Sequence, residues 1–328
     1  MRRSISAVLP ATGKLCGQST SQYRQTDNRN TLVFRSLDGG ASWSSFAESE
    51  QGLRTSRVNK IVVDPTNSNT IYLATDQGIF KSIDGGNTWQ HLRVEAANFG
   101  VFDLTIDPVH SNNLYFTNDA FYRSQDGGNT WEKRQLIIDP PITNDPANTF
   151  LHATCMAIDP INPANIYVGA RGAEYTGIFK STNGGATFRF IKQPNTAFAY
   201  LQQIYIAPKN PSTIYFFHYS PIRDGRIYKS LDGGERNLVS IEDQIDEQIN
   251  FLVDPQSPLT IYTSGREGLF KSLDGGITWA HLDRAVLVAT DNFSTIYGKR
   301  GANLVKSVDG AVTFTATNFN RNFPITWF

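Results

Sequence analysis

Three observations predict an all-β fold, a seven-bladed β-propeller with four antiparallel strands per blade. A Ser-x-Asp-Gly-Gly segment or close variant recurs with its serine at 36, 82, 124, 181, 230, 272 and 307. The mean spacing, about 45 residues, is the length of a four-stranded blade. Ahead of six copies an apolar stretch ends at Asp64-Pro65, Asp107-Pro108, Asp159-Pro160, Ala207-Pro208, Asp254-Pro255 or Ala289-Thr290. Eight residues after the first member of each pair stands a tyrosine preceded by Ile or Leu: Tyr72, Tyr115, Tyr167, Tyr215, Tyr262 and Tyr297. Finally, no segment sustains a 3.6-residue apolar period; short apolar runs are separated by Gly, Pro and Asn.

Each blade therefore reads as a strand, an Asp-Pro turn, an Ile-Tyr strand, a Phe-Lys-Ser strand, an Asp-Gly-Gly turn and a Thr-Trp strand. The single domain 1–328 divides into blades at about 1–47, 57–93, 100–135, 151–192, 200–240, 248–283 and 284–317. Blade 1 is the most diverged, with strands expected at 4–9, about 14–20, 32–36 and 42–46. The tail 318–328, ending Phe323-Pro324-Ile325-Thr326-Trp327-Phe328, is expected to supply a closing inner strand. In the turn, glycine tolerates positive φ without steric cost. The Ser hydroxyl and Asp carboxylate can accept the turn's own N–H groups, and Trp or Phe covers the layer between blades. Seven near-identical copies point to a structural role for the aspartate rather than seven metal or catalytic sites.

Thirty basic and thirty acidic residues cancel, with pI near 7.0, which removes the electrostatic footprint of a nucleic-acid binder. No run of 18 apolar residues exists to form a transmembrane helix. After Met1-Arg2-Arg3 the apolar stretch Ile5–Leu9 is too short for a signal-peptide core, and Leu15 before Cys16 is a poor lipoprotein site. Cys16 and Cys155 lack metal spacing and read as small buried hydrophobes. The histidines at 91, 110, 152, 218 and 281 show no ligand spacing, so neither metal nor cofactor is expected. His91 and His281 occupy equivalent repeat positions after Trp-x.

Ser-x-Asp-Gly-Gly-x-Thr-Trp resembles the Asp box, or BNR repeat, along essentially the whole chain. Such boxes occur in sialidases, sortilin-type receptors, tandem-propeller xyloglucan-active glycoside hydrolases and photosystem II assembly factors. The strand motifs most resemble the sortilin and xyloglucanase-like group. That resemblance places the box at the blade periphery, away from the substrate face, so it identifies fold rather than activity. It also implies an extracytoplasmic or secreted location, although no clear signal peptide is present and a cytoplasmic one stays open. Copies four (Asn183, Phe188), five (Arg236-Asn237) and seven (Ala311) depart from the motif and are expected to be less rigid.

Loop lengths locate the candidate site. The Asp-Pro and Asp-box turns are nearly invariant and lie on one face. From the tyrosine to the box serine the spacing is 10, 9, 14, 15, 10 and 10, which marks insertions at Ala170–Thr176 and His218–Arg226. The connection 134–150 is also long. All three fall on the other face, over blades 3–5, as insertions on a binding face do. The candidate binding residues are Asp145, His152, Arg171, Glu174, Tyr175, His218, Tyr219, Arg223, Asp224 and Arg226. Mixed charge with aromatics suits a protein segment or a glycan.

The favoured reading is a non-catalytic binding or assembly module; the alternative is a glycoside hydrolase. A sialidase-like enzyme needs an arginine triad, available at Arg171, Arg223 and Arg266, but residues 4–10 lack the family's Arg-Ile-Pro segment. In the xyloglucanase-like family a catalytic aspartate lies in a Thr-Asp-x-Gly segment, and the cleft forms between two propellers. Thr75-Asp76-Gln77-Gly78 matches that segment and Asp119 occupies a similar loop, so these two are the catalytic candidates. A single propeller supplies half of such a cleft.

Overall fold

A computed structural model describes residues 58–94, 100–137, 150–172, 176–192, 200–220, 223–235, 238–241, 248–254, 256–265, 267–290, 295–300 and 303–317, with the strand segments 5–8, 32–35 and 44–47. The chain forms two compact units, residues 1–101 with 267–270 and 281–328, and residues 102–266 with 271–280. All described regular structure is β.

In the first unit, the second repeat is a four-stranded antiparallel sheet of Val58–Val63, Ile71–Thr75, Gly78–Ser82 and Gln90–Leu92 in chain order. The seventh repeats this order with Val286–Thr290, Ile296–Arg300, Asn303–Ser307 and Thr315–Ala316. The first sheet differs: Ile5–Val8 pairs parallel with Leu32–Arg35, which pairs antiparallel with Ser44–Ala47. First and third strands of a meander run the same way, so pairing them directly gives a parallel ladder. The expected strand at 14–20 and the closing tail lie outside the described residues, and the four-strand order holds in six repeats.

In the second unit the third sheet comprises Asp103–Ile106, Leu114–Thr117, Phe121–Ser124 and Glu132–Arg134. The fourth comprises Phe150–Ile158, Ile166–Arg171, Thr176–Ser181 and Arg189–Lys192. The fifth comprises Tyr200–Ile206, Ile214–Ser220, Arg223–Ser230 and Val239–Ser240. The sixth repeat carries strands Gln248–Val253, Ile261–Gly265, Gly268–Ser272 and Ala280–Asp283, its later residues divided between the units. The Thr-Trp pair closes the turn rather than entering a strand; pairing begins one residue later, at Gln90, Glu132 and Ala280.

The core lies between successive sheets. Phe121 and Leu136 pack with Leu151, Ile166 and Phe179; Tyr167 and Ile178 pack with Leu201 and Phe216; Tyr215 and Phe217 pack with Phe251 and Ile261. Each such side chain contributes about 1.5–3 kcal/mol by leaving water. The recurrent tyrosine sits directly opposite the recurrent lysine, as at Tyr167↔Lys180 and Tyr215↔Lys229, and the ammonium lies over the ring at 5.2 and 5.6 Å. These residues also grip the next repeat: Tyr167 Oη donates to Gly233 O, and Lys229 Nζ to Gly275 O. First strands bulge at Asn59, Thr154 and Gln202. The first two bulge side chains reach the following repeat, Asn59 Nδ2 to Val101 O, just ahead of its first strand, at 2.6 Å and Thr154 Oγ1 to Leu201 O at 2.7 Å.

The Asp-Gly-Gly turn closes on itself. In the second repeat, Gly86 N donates to Ser82 Oγ at 2.8 Å, and Thr88 N and Oγ1 donate to the two Asp84 oxygens at 2.9 and 2.6 Å. Asn183 preserves this arrangement: its Oδ1 accepts Thr187 N, and its amide donates to Thr187 Oγ1. Both glycines adopt left-handed φ, +71° and +93° at Gly85 and Gly86. Ala311 takes the second of these positions at φ +71°, where a Cβ is strained. Ala311→Gly is therefore expected to stabilise the fold by about 0.5–1 kcal/mol, read from the urea midpoint.

Candidate functional site

Where they are described, the two hairpin insertions lengthen the strands on either side. In the fourth sheet the ladder continues to Ala170↔Gly177 and Arg171↔Thr176. In the fifth it runs to His218↔Arg226, then shifts register to Ser220↔Arg223. Gly225 also pairs with Gln248, joining the fifth sheet to the sixth repeat's first strand. The long connection begins the same way: Leu136 and Ile137 pair antiparallel with Leu151 and Phe150, adding a strand to the edge of the fourth sheet.

This construction brings two pairs of candidate residues together. His152 is exposed and stands opposite the half-buried Arg171 across the first two strands of the fourth sheet. His218 faces Arg226 across the hairpin of the fifth. Arg226 is exposed, whereas His218 is 1% exposed with its ring edge-on to Tyr228. Burial, with the Arg226 charge adding to it, pushes the His218 pKa down to about 4, so the imidazole is neutral near pH 7. Any direct contact from this pair comes from Arg226. Tyr219, Arg223 and Asp224 belong to the same hairpin by backbone; Asp145, Glu174 and Tyr175 lie outside the described residues.

Phe102 went unselected in the sequence yet is 52% exposed at the start of the third sheet. It stands five residues before Asp107, the position that carries Asn59, Thr154 and Gln202 in other repeats. An aromatic residue at a position that is polar in the second, fourth and fifth repeats was the available signal. The neighbouring Asp103 is buried, its Oδ2 accepting Met156 N at 2.9 Å and so tying the third sheet to the fourth.

The two catalytic candidates occupy turns between second and third strands. In Thr75-Asp76-Gln77-Gly78 the turn is held by Thr75, whose Oγ1 accepts Gln77 N and donates to Gly78 O. Asp119 accepts Tyr122 Oη at 2.7 Å and Lys133 Nζ at 2.5 Å. Burial raises its pKa, but the Lys133 and Tyr122 bonds outweigh burial and hold the carboxyl below the ordinary range. A general acid needs the opposite shift. Among the described residues no group of three or more His, Cys, Asp or Glu gathers as a metal site requires. His91 Nε2 meets Gln77 O at 2.9 Å and His281 Nε2 meets Glu267 O at 3.1 Å, equivalent hairpin contacts. Cys155 is buried; Cys16 is outside the described residues. No described helix is long and apolar enough to cross a membrane.

The family described as Sortilin-Vps10 (sortilin, neurotensin receptor 3) matches residues 31–136. No curated protein matches the chain. Among solved structures, an ancestral GH74 enzyme aligns with TM-score 0.64 and 18% identity over 85% of this chain and 42% of its own. The GH74 xyloglucanase from Xanthomonas campestris aligns with TM-score 0.60 and 13% identity over 94% and 59%. YCF48 bound to D1 peptide aligns with TM-score 0.58 and 14% identity over 80% and 81%. The chain thus spans about half the length of the GH74 proteins it matches. At these identities the likeness is one of fold, a β-propeller arrangement.

Proposed function

We propose that this chain is a seven-bladed Asp-box propeller that acts as a non-catalytic binding or assembly module. It holds a protein segment, or else a glycan, at the insertion-bearing ends of the third to fifth repeats. The supporting observation is that these insertions extend paired strands, which sets Arg171 beside His152 and Arg226 above His218. A guanidinium on a strand is better positioned for bidentate recognition than one on a free loop. YCF48, of similar length and fold, is seen with a peptide, which accords with a protein segment. The sortilin-type resemblance favours an extracytoplasmic location.

The second reading, a xyloglucanase-like or sialidase-like glycoside hydrolase, draws support from the GH74 likeness and the Thr75–Gly78 turn. Asp119 weakens it, since its ion pair with Lys133 disfavours the protonated form. One experiment separates the readings: the protein is screened against peptide and glycan arrays, and reducing-end release is followed on xyloglucan and sialosides. Binding without turnover is expected, weakened about tenfold or more by combined alanine replacement of Arg171, Tyr175 and Arg223 with the melting curve preserved. Unchanged binding in that variant would remove the assigned face. Turnover abolished by Asp76→Ala would replace the module with a hydrolase.

A further inference from the structure

We propose that the turn-bearing end of the fifth and sixth repeats, opposite the insertions, is a self-association surface that docks a second copy of this chain. Leu231, Leu259, Leu273 and Ile277 are 68%, 52%, 68% and 72% exposed there. The turn itself does not require them. At the place of Leu231 and Leu273 the third and fourth repeats carry Gln125 and Thr182, and at the place of Ile277 the third carries Asn129. Those repeats close the same hydrogen bonds, Gly128 N to Ser124 Oγ at 2.9 Å against Gly276 N to Ser272 Oγ at 2.8 Å. The turn therefore closes without an apolar residue at these positions.

Leu259, Leu273 and Ile277 are gathered around the sixth repeat's turn, and Leu231 stands in the fifth's. Gly275 N donates to Leu259 O at 2.8 Å, and a Cβ on Gly275 would lie 3.0 Å from Leu259 Cδ2. Leu273 and Ile277 flank that turn in sequence. Lys229, two residues before Leu231, donates through Nζ to Gly275 O at 3.3 Å and so draws the fifth repeat's turn to the sixth's. Four side chains at these exposures present roughly 400–500 Å² per copy, or about 800–1,000 Å² in a two-fold contact, the range of a weak, transient association. A two-fold contact requires a patch complementary to itself. The rim carries both signs, the ionised Asp274 and the exposed Lys209, so two copies can meet without opposing like charge, and the zero net charge adds no long-range repulsion.

Sedimentation velocity over about 5–200 μM protein tests this, with a weak dimer of Kd about 10–100 μM expected. The variant Leu231→Thr/Leu273→Gln/Ile277→Asn installs residues that other repeats already use in the same turn. It is expected to fold as the wild type does by circular dichroism and to associate at least about tenfold more weakly. Ile83→Gln changes the equivalent exposed residue of the second repeat and should leave association unaltered. A wild type that stays monomeric throughout, or a triple variant that dimerises as the wild type does, would overturn the proposal. A contact carried by Ile83 would also overturn it.

Discussion

Gly276→Ala is expected to lower folding stability by about 3 kcal/mol, the sum of a left-handed backbone cost and an overpacked joint. Gly276 has φ +94°, and a Cβ there would lie 2.5 Å from Ile241 Cδ1 and 2.8 Å from Ile241 Cβ. The Cβ of Ile241 moves only with its backbone, and that backbone is fixed by Trp279 Nε1 donating to Ile241 O at 2.8 Å. The seventh repeat supplies the comparison. Ala311 occupies the same turn position at φ +71° and still donates its N–H to Ser307 Oγ at 2.9 Å, so the turn survives the backbone cost alone. The excess at Gly276 must come from Ile241. Urea denaturation of Gly276→Ala, Ile241→Ala and the double variant isolates it: the alanine at 276 should cost about 1 kcal/mol once Ile241 is truncated. An undiminished cost in that background would show that backbone strain, not the joint, governs the turn.

That joint also shows where the sequence was informative and where it was silent. The spacing of Ser, Asp and two glycines carried the turn completely, because its hydrogen bonds run between residues two to four apart, as from Ser82 to Asp84 and Gly86. The eight-residue step from Asp-Pro to tyrosine carried the first hairpin for the same reason: Asp64 N bonds Thr70 O within it. Contacts between repeats were illegible. Tyr167 reaches Gly233 and Asp103 reaches Met156 across 66 and 53 residues, and no local pattern encodes such partners.

The candidate site was half legible. Length alone revealed the insertions, but length does not distinguish a loop from a longer ladder. The alternation Ile214, Phe216 and His218 against Tyr215, Phe217 and Tyr219 continues the strand into the insertion. It placed a histidine counted among the surface candidates inside the sheet. Leu136, read as part of a connection, is fully buried against Leu151 for a similar reason.

Burial of His218 has a thermodynamic consequence that a surface histidine would not. Its pKa is about 4 in the folded chain and near the ordinary 6.5 when unfolded, so the unfolded state binds the proton more tightly. The neutral ring's contribution is complete above about pH 6.5 and is lost as pH falls toward 4. About 2 kcal/mol should disappear between pH 7.5 and pH 5. The turn aspartates act in a separate window. Hydrogen bonds from Thr88, with Ser82 adding to them, hold Asp84 at about 2, and Asp126 is held at about 2 by Thr130. Their contribution is present above about pH 4 and is lost only as pH falls toward 2, whereas Asn183 in the fourth repeat has no carboxylate to titrate. Urea midpoints taken from pH 7.5 to 5 on the wild type and on His218→Phe therefore isolate one group. The wild type should lose about 2 kcal/mol more than the variant over this range, since His91, His110, His152 and His281 are common to both and cancel in the difference. Parallel slopes would place the titrating group elsewhere and would mean that water reaches His218 in the folded hairpin. In that case the hairpin would be open at its insertion end, and Arg226 could no longer be held above a dry strand.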